Sequence, residues 1–233
     1  MRRLGTCVVV VALAAAPAVG AVYSDTFSYP DGNLAGNGGW FFDVADPGIN
    51  AVEVQSGQVA VYAEQAAPVR VSNNSMDVPP GAGNVVDLTM DVKPVAAGGD
   101  PGGAGWFHVW DRSESVILGG LFWNNAALFG RNAQTGALVG LANPLDPNGV
   151  TVHMKFDFAA NTVTFDIGGG PLGSSPFAPG LTAGNAAVGR VTFEAQINTP
   201  RSAYHLFDNL NITPEPGALG LLLLGLPLLR RRR

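Results

Sequence analysis

VTVHMKFDF, residues 150–158, sets the pattern on which the whole chain is built. Val150, Val152, Met154, Phe156 and Phe158 occupy alternate positions, with Thr151, His153, Lys155 and Asp157 between them. Side chains along an extended strand point to opposite faces in turn, so this spacing makes one face apolar and the other polar. A helix would scatter the same residues around its circumference. The stretch predicts a strand that covers a core on one side and meets water on the other.

The same period recurs along the chain. Residues 84–93 turn Val86, Leu88, Met90 and Val92 inward and Asp87, Thr89, Asp91 and Lys93 outward. Residues 162–167 bury Val163, Phe165 and Ile167, and residues 190–197 bury Val191, Phe193, Ala195 and Ile197. Further strands are expected at 23–27, 51–54, 58–62, 69–72, 105–111, 116–123 and 204–212. Turn-forming Gly, Pro and Asn separate them, as at Pro30-Asp31-Gly32, Pro79-Pro80-Gly81, Asn124-Asn125, Pro147-Asn148-Gly149 and Ala160-Asn161. No stretch between the two ends keeps a 3.6-residue period over a helical length. Strands with one apolar face bury it by packing sheet on sheet, and eleven or more of them exceed an immunoglobulin-type domain. The expected fold is all-β, an antiparallel two-sheet jelly roll. Residues 168–185, rich in Gly, Pro and Ser, read as a surface loop.

Both ends break the pattern. Arg2 and Arg3 precede an apolar run at 8–16 and small residues to Ala21, which reads as a secretory signal peptide over residues 1–21. Leu-Gly-Thr after the arginines departs from a twin-arginine signal, so the general secretory (Sec) route is expected. At the other end Pro214-Glu215-Pro216 leads into an apolar run at 217–229 and then Arg230, Arg231, Arg232 and Arg233. A helix of that run would reach about 20 Å, short of the roughly 30 Å of bilayer hydrocarbon. The arginines resist translocation and stay cytoplasmic. Such an anchor holds an exported chain only weakly at the inner membrane, which suits a segment that is removed.

That tail resembles the PEP-CTERM sorting signal of Gram-negative bacteria, on Pro214, Glu215 and Pro216 followed by the apolar run and the arginines. The resemblance implies a membrane-embedded exosortase-type protease as processing partner, and delivery to the cell surface or extracellular matrix. It divides the chain into a signal peptide at 1–21, one β-sandwich body at 22–212 and a sorting segment at 213–233.

Setting aside the six terminal arginines and Glu215 leaves seven basic and 17 acidic residues, a body charge near −10. That excess repels phosphate backbones and argues against nucleic acid as a partner. The single cysteine, Cys7, lies in the signal peptide, so the body has no disulfide, thiolate zinc site or cysteine nucleophile. About 190 residues suffice for one sizeable core.

The body's opening, Asp25-Thr26-Phe27-Ser28-Tyr29-Pro30-Asp31-Gly32-Asn33-Leu34 with Gly38-Gly39-Trp40, resembles concanavalin A-like lectin and glucanase jelly rolls. Its closing stretch, Tyr204-His205-Leu206-Phe207-Asp208-Asn209-Leu210-Asn211-Ile212, is similar to their last strand. The resemblance implies that the first and last strands pair. It would bring Asp25 near Asp208, where a structural calcium ion could sit.

Candidate chemistry is sparse. Trp106, His108 and Trp110 share one face of their strand and Trp123 lies on the next, so their rings either stack on sugar or fill the space between sheets. Asp87 and Asp91 also share a face, but four residues of strand separate them by about 13 Å, against the 5–5.5 Å of a retaining glycosidase pair. His153 and His205 read as surface residues. The sequence therefore predicts an exported binding or structural module associated with extracellular polysaccharide and not an enzyme. The alternatives are a matrix protein without a small ligand, or a glycoside hydrolase or lyase of this fold.

Overall fold

The computed structural model describes residues 22–44, 52–62, 69–81, 83–94, 104–124, 127–142, 146, 148–195 and 205–215. Residues 1–21, read above as a signal peptide, lie outside these residues, as do Ile197, Pro216 and the tail beyond it with its four arginines. Among the described residues the fold has sixteen strands: β1 Tyr23–Asp25, β2 Gly32–Asn33, β3 Trp40–Val44, β4 Val52–Gln55, β5 Gln58–Val61, β6 Val69–Asn73, β7 Val85–Pro94, β8 Ala104–Asp111, β9 Ile117–Asn124, β10 Ala127–Arg131, β11 Leu138–Ala142, β12 Val150–Asp157, β13 Thr162–Ile167, β14 Gly170–Pro176, β15 Val188–Ala195 and β16 His205–Pro214. They form two antiparallel sheets packed as a jelly-roll sandwich. A nine-stranded sheet runs β14-β13-β12-β7-β16-β5-β4-β2, with β1 also paired to β16. A seven-stranded sheet runs β11-β10-β9-β8-β15-β6-β3.

The alternation read in residues 150–158 is realised: Val152, Met154, Phe156 and Phe158 are buried while Thr151, His153 and Lys155 are exposed. In β7, Val86, Leu88, Met90 and Val92 line the same core. Aromatic rings stitch the sheets together. Phe193 of β15 meets Trp40 at 5.5 Å, Phe107 at 5.1 Å and, across the sandwich, Phe207 of β16 at 5.1 Å. Trp123 continues the chain to Phe207 at 4.7 Å. Tilted ring pairs at these separations add about 0.5–1.5 kcal/mol each beyond their buried area.

The first and last strands do pair, Tyr23 opposite Ile212 and Asp25 opposite Leu210. Asp25 pins this junction. Its carboxylate accepts hydrogen bonds from Trp40 Nε1 (2.8 Å), Tyr29 Oη (2.9 Å), Tyr23 Oη (3.2 Å) and the Phe27 amide (2.8 Å). The last of these holds Phe27 at φ 50°, a conformation costly for a side chain of that bulk. Burial, together with the Asp25 carboxylate, pushes the Tyr29 hydroxyl up to about 12 and raises that of Tyr23 further.

Two local readings need correction. Residues 170–176, expected as loop, form strand β14 at the edge of the nine-stranded sheet, where Gly and Pro are tolerated because one side of the strand needs no partner. His205, expected at the surface, is 1% exposed and points between the sheets. A bulge causes this. Register shifts between Asp208 and Asn211, where Asn209 adopts φ 50°, so His205 and Phe207 share the buried side with Leu210 and Ile212 despite opposite parity.

Candidate functional site

The outer face of the seven-stranded sheet carries the densest chemistry in the described molecule. In β8, Phe107 and Val109 enter the core, so Trp106, His108 and Trp110 point the other way. In β15, Val191 and Phe193 enter the core, which turns Arg190, Thr192 and Glu194 outward beside them. Register then arranges these side chains in rows. Arg70, Glu194, Trp106, Phe122 and Phe129 stand opposite one another along the first row. Ser72, Thr192 and His108 form the second, ending at Gly120, where a Cβ would come within 2.1 Å of the Phe107 carbonyl oxygen. Arg190 and Trp110 form the third.

These rows enclose a groove of about 220 Å³ lined by Arg70, Trp106, His108, Trp110, Arg131 and Glu194, with Ile117. Its polar groups form one chain of hydrogen bonds. Arg70 Nε donates to Glu194 Oε2 at 2.8 Å, and His108 Nε2 lies 3.3 Å from the same oxygen. On the other side of the ring, Arg131 Nη1 lies 2.8 Å from His108 Nδ1. A guanidinium has no lone pair to offer, so Nδ1 accepts and the ring's proton sits on Nε2, donated to Glu194. The imidazole is therefore neutral. Burial lowers its proton affinity, and this outweighs the hydrogen bond to Glu194. For Glu194 burial acts upward, but the hydrogen bonds from His108 and Arg70 outweigh it and hold the carboxyl below its ordinary value.

The tryptophans frame this chain. The Arg131 guanidinium lies 4.5 Å above the Trp106 ring, which also packs on Phe122 at 4.4 Å. Trp110 donates from Nε1 to Thr192 Oγ1 at 3.2 Å and lies 5.7 Å from the Arg190 guanidinium. Both rings are partly exposed.

Of the residues singled out in the sequence, Trp106, His108 and Trp110 come together in this groove, and Trp123 does not. Trp123 is fully buried on the opposite face of β9, over Gly105, where a Cβ would lie 2.4 Å from its ring. Arg70, Arg131, Thr192 and Glu194 were not singled out. The parity of β15 implied the outward side of Glu194, but its partners lie 86 and 124 residues away. Asp87 and Asp91 lie on the outer side of the other sheet, away from the groove. Asp91 accepts from Thr151 at 2.7 Å and Asn209 at 2.9 Å. Asp25 and Asp208 are not partners: the Asp25 oxygens are taken by protein donors, and Asp208 stands opposite Asp91. Those two aspartates help line a second depression of about 270 Å³ that has no aromatic wall. Among the described residues no cluster of three or more His, Cys, Asp or Glu is arranged to hold a metal ion.

Comparison with known proteins yields no match to any family and none to characterised sequences. Solved structures do share the fold. A sialidase superposes with TM-score 0.56 at 11% identity, covering 82% of this chain and 19% of its own. An alginate lyase in complex with an alginate trisaccharide superposes at 0.52 and 14%, covering 84% and 99%. An endo-1,3-beta-glucanase from Streptomyces sioyaensis superposes at 0.50 and 11%, covering 87% and 100%. This chain thus spans about a fifth of the sialidase and nearly the whole of the other two. All three are enzymes, and that overturns the expectation that the body is not one.

Proposed function

We propose that the body is a polysaccharide-cleaving jelly roll whose groove lies on the outer face of the seven-stranded sheet. The observation that carries this reading is the hydrogen-bonded chain Arg70, Glu194, His108 and Arg131 set between two partly exposed tryptophans. Flat aromatic rings suit the apolar faces of pyranoses, and a groove open along the sheet suits a polymer better than a single small molecule. Glu194 and His108 form the acid–base pair. The carboxylate fixes the ring's tautomer, and the neutral imidazole accepts or relays a proton near neutral pH. Asp87 and Asp91 play no part in it.

The test is direct. Incubated with a panel of neutral and acidic polysaccharides, the protein is expected to generate new chain ends from at least one of them. Glu194→Gln should lower that rate by about 10²–10⁴-fold with little change in melting temperature. Ultraviolet absorbance of an unsaturated product separates elimination from hydrolysis. No new ends from any substrate would defeat the proposal.

We further propose that residues 1–21 direct export through the Sec route and that the Pro214-Glu215-Pro216 tail is read by an exosortase-type protease after a transient stay in the inner membrane, placing the body at the cell surface or in the matrix. Support comes from the order of the tail's elements. Thr213 and Pro214 still run in β16, and Glu215 pairs with Lys155 at 2.9 Å. Intact-mass measurement of the exported protein should find the four arginines absent, and their retention would contradict the tail reading.

A further inference from the structure

We propose that the groove selects an acidic sugar and that Arg131 is the residue that binds its carboxylate. This deepens the polysaccharide reading above and rests on it.

The ion pairs on this face leave one guanidinium out. Glu194 neutralises Arg70 through the 2.8 Å ion pair. Arg190 is held between Asp43 and Glu114, the latter at 3.1 Å. His108 is uncharged, since its Nδ1 accepts from Arg131. Arginines and carboxylates here are equal in number, three of each, but Arg190 takes two of the carboxylates and one guanidinium is left without an ion pair. Among the described residues Arg131 makes no ion pair, its only hydrogen-bonding partner is the His108 ring, and its Nε is buried without a partner. The nearby Glu194 acts on it only through space, its oxygens being engaged by Arg70 and His108. The chain as a whole carries a formal charge of −5, so a half-buried guanidinium without a carboxylate stands out from its surroundings.

Arg131 is held over Trp106, with its guanidinium carbon 4.5 Å from the ring centre, at the wall of the groove. A planar guanidinium fork matches a carboxylate with two parallel hydrogen bonds, which an ammonium or a hydroxyl does not reproduce. A uronate places such a carboxylate on the ring that Trp110 or Trp106 would stack. Its arrival also has a consequence for His108. Arg131 turned toward a sugar carboxylate no longer covers Nδ1, and the neutral imidazole then presents a free lone pair to the bound chain. Substrate binding and exposure of the base become one event.

The experiment is a set of binding titrations of purified protein at fixed ionic strength with three probes: a polyuronate, a sulfated polysaccharide and a neutral β-glucan. Arg131→Gln, Arg131→Lys and Trp110→Ala are compared with wild type, and thermal melting confirms that each is folded. The expected result is preference for the polyuronate. Arg131→Gln should weaken that binding by roughly tenfold or more and the neutral glucan's by much less, and Arg131→Lys should recover only part of the loss. Preference for the neutral glucan or the sulfated chain, or an equal loss for all probes in Arg131→Gln, would overturn the inference while the polysaccharide reading stands. Binding to none of the three, or full binding by Trp110→Ala, would overturn both.

Discussion

Arg131 Nη1 donates to His108 Nδ1 at 2.8 Å, while the other nitrogen of that ring faces Glu194 at 3.3 Å. The ring is fixed in one tautomer by a permanent donor on one side and a carboxylate on the other. The three residues belong to strands β10, β8 and β15, so only the completed sheet assembles them.

The four tryptophans divide into two pairs with opposite roles. Trp40 and Trp123 are buried, and Trp123→Ala should cost about 3–5 kcal/mol of stability, read as a lower melting temperature or denaturation midpoint. Trp106 and Trp110 line the groove, and their alanine variants should keep most of the stability while losing polysaccharide affinity. A Trp110→Ala protein that unfolds as readily as Trp123→Ala would contradict the assignment of faces.

His205 makes the fold sensitive to acid. Burial lowers its pKa from 6.5 to about 4, and neither ring nitrogen has a hydrogen-bond partner among the described residues. A folded-state pKa below the unfolded value means that the unfolded chain binds the extra proton. The stability is present above pH 6.5 and is lost as pH falls toward 4, up to about 3 kcal/mol. Urea unfolding at pH 7 and pH 4.5 should show a smaller acid loss for His205→Leu than for wild type. Equal losses would rule this role out.

Asp25 is a structural hub whose carboxylate already accepts four hydrogen bonds from the protein. Asp25→Asn should lower stability by about 2–3 kcal/mol by weakening bonds from Trp40, Tyr29, Tyr23 and the Phe27 amide. Adding calcium or a chelator should leave the wild-type melting temperature where it is. A rise with calcium that Asp25→Asn abolishes would show that the carboxylate holds a metal ion instead.

Sequence alternation carried the fold where strands are long and regular. Residues 150–157 and 162–167 were legible almost to the residue, because one buried face leaves a strict period of two. It failed where that period is interrupted. The bulge at Asp208 to Asn211 inverts His205, since Leu206, Leu210 and Ile212 look like the apolar face until the extra residue is counted. Strand β14 escaped notice because its edge position accepts turn residues. The site was half legible. Trp106, His108 and Trp110 share a face at once, but Phe107 and Val109 are equally apolar, so parity alone did not say which face was outer. Arg131 sits on β10, a strand absent from the reading, and its meeting with His108 depends on pairing of β8, β9 and β10 that no local pattern encodes.

The central claim, that sugar chains lie across the outer face of the seven-stranded sheet, is tested most directly by the four indole N–H resonances. Titration with uronate and neutral glucan oligosaccharides should shift the Trp106 and Trp110 signals in a saturable way and leave those of Trp40 and Trp123 in place. Silence from Trp106 and Trp110 at saturating oligosaccharide, or movement confined to the two buried indoles, would contradict it.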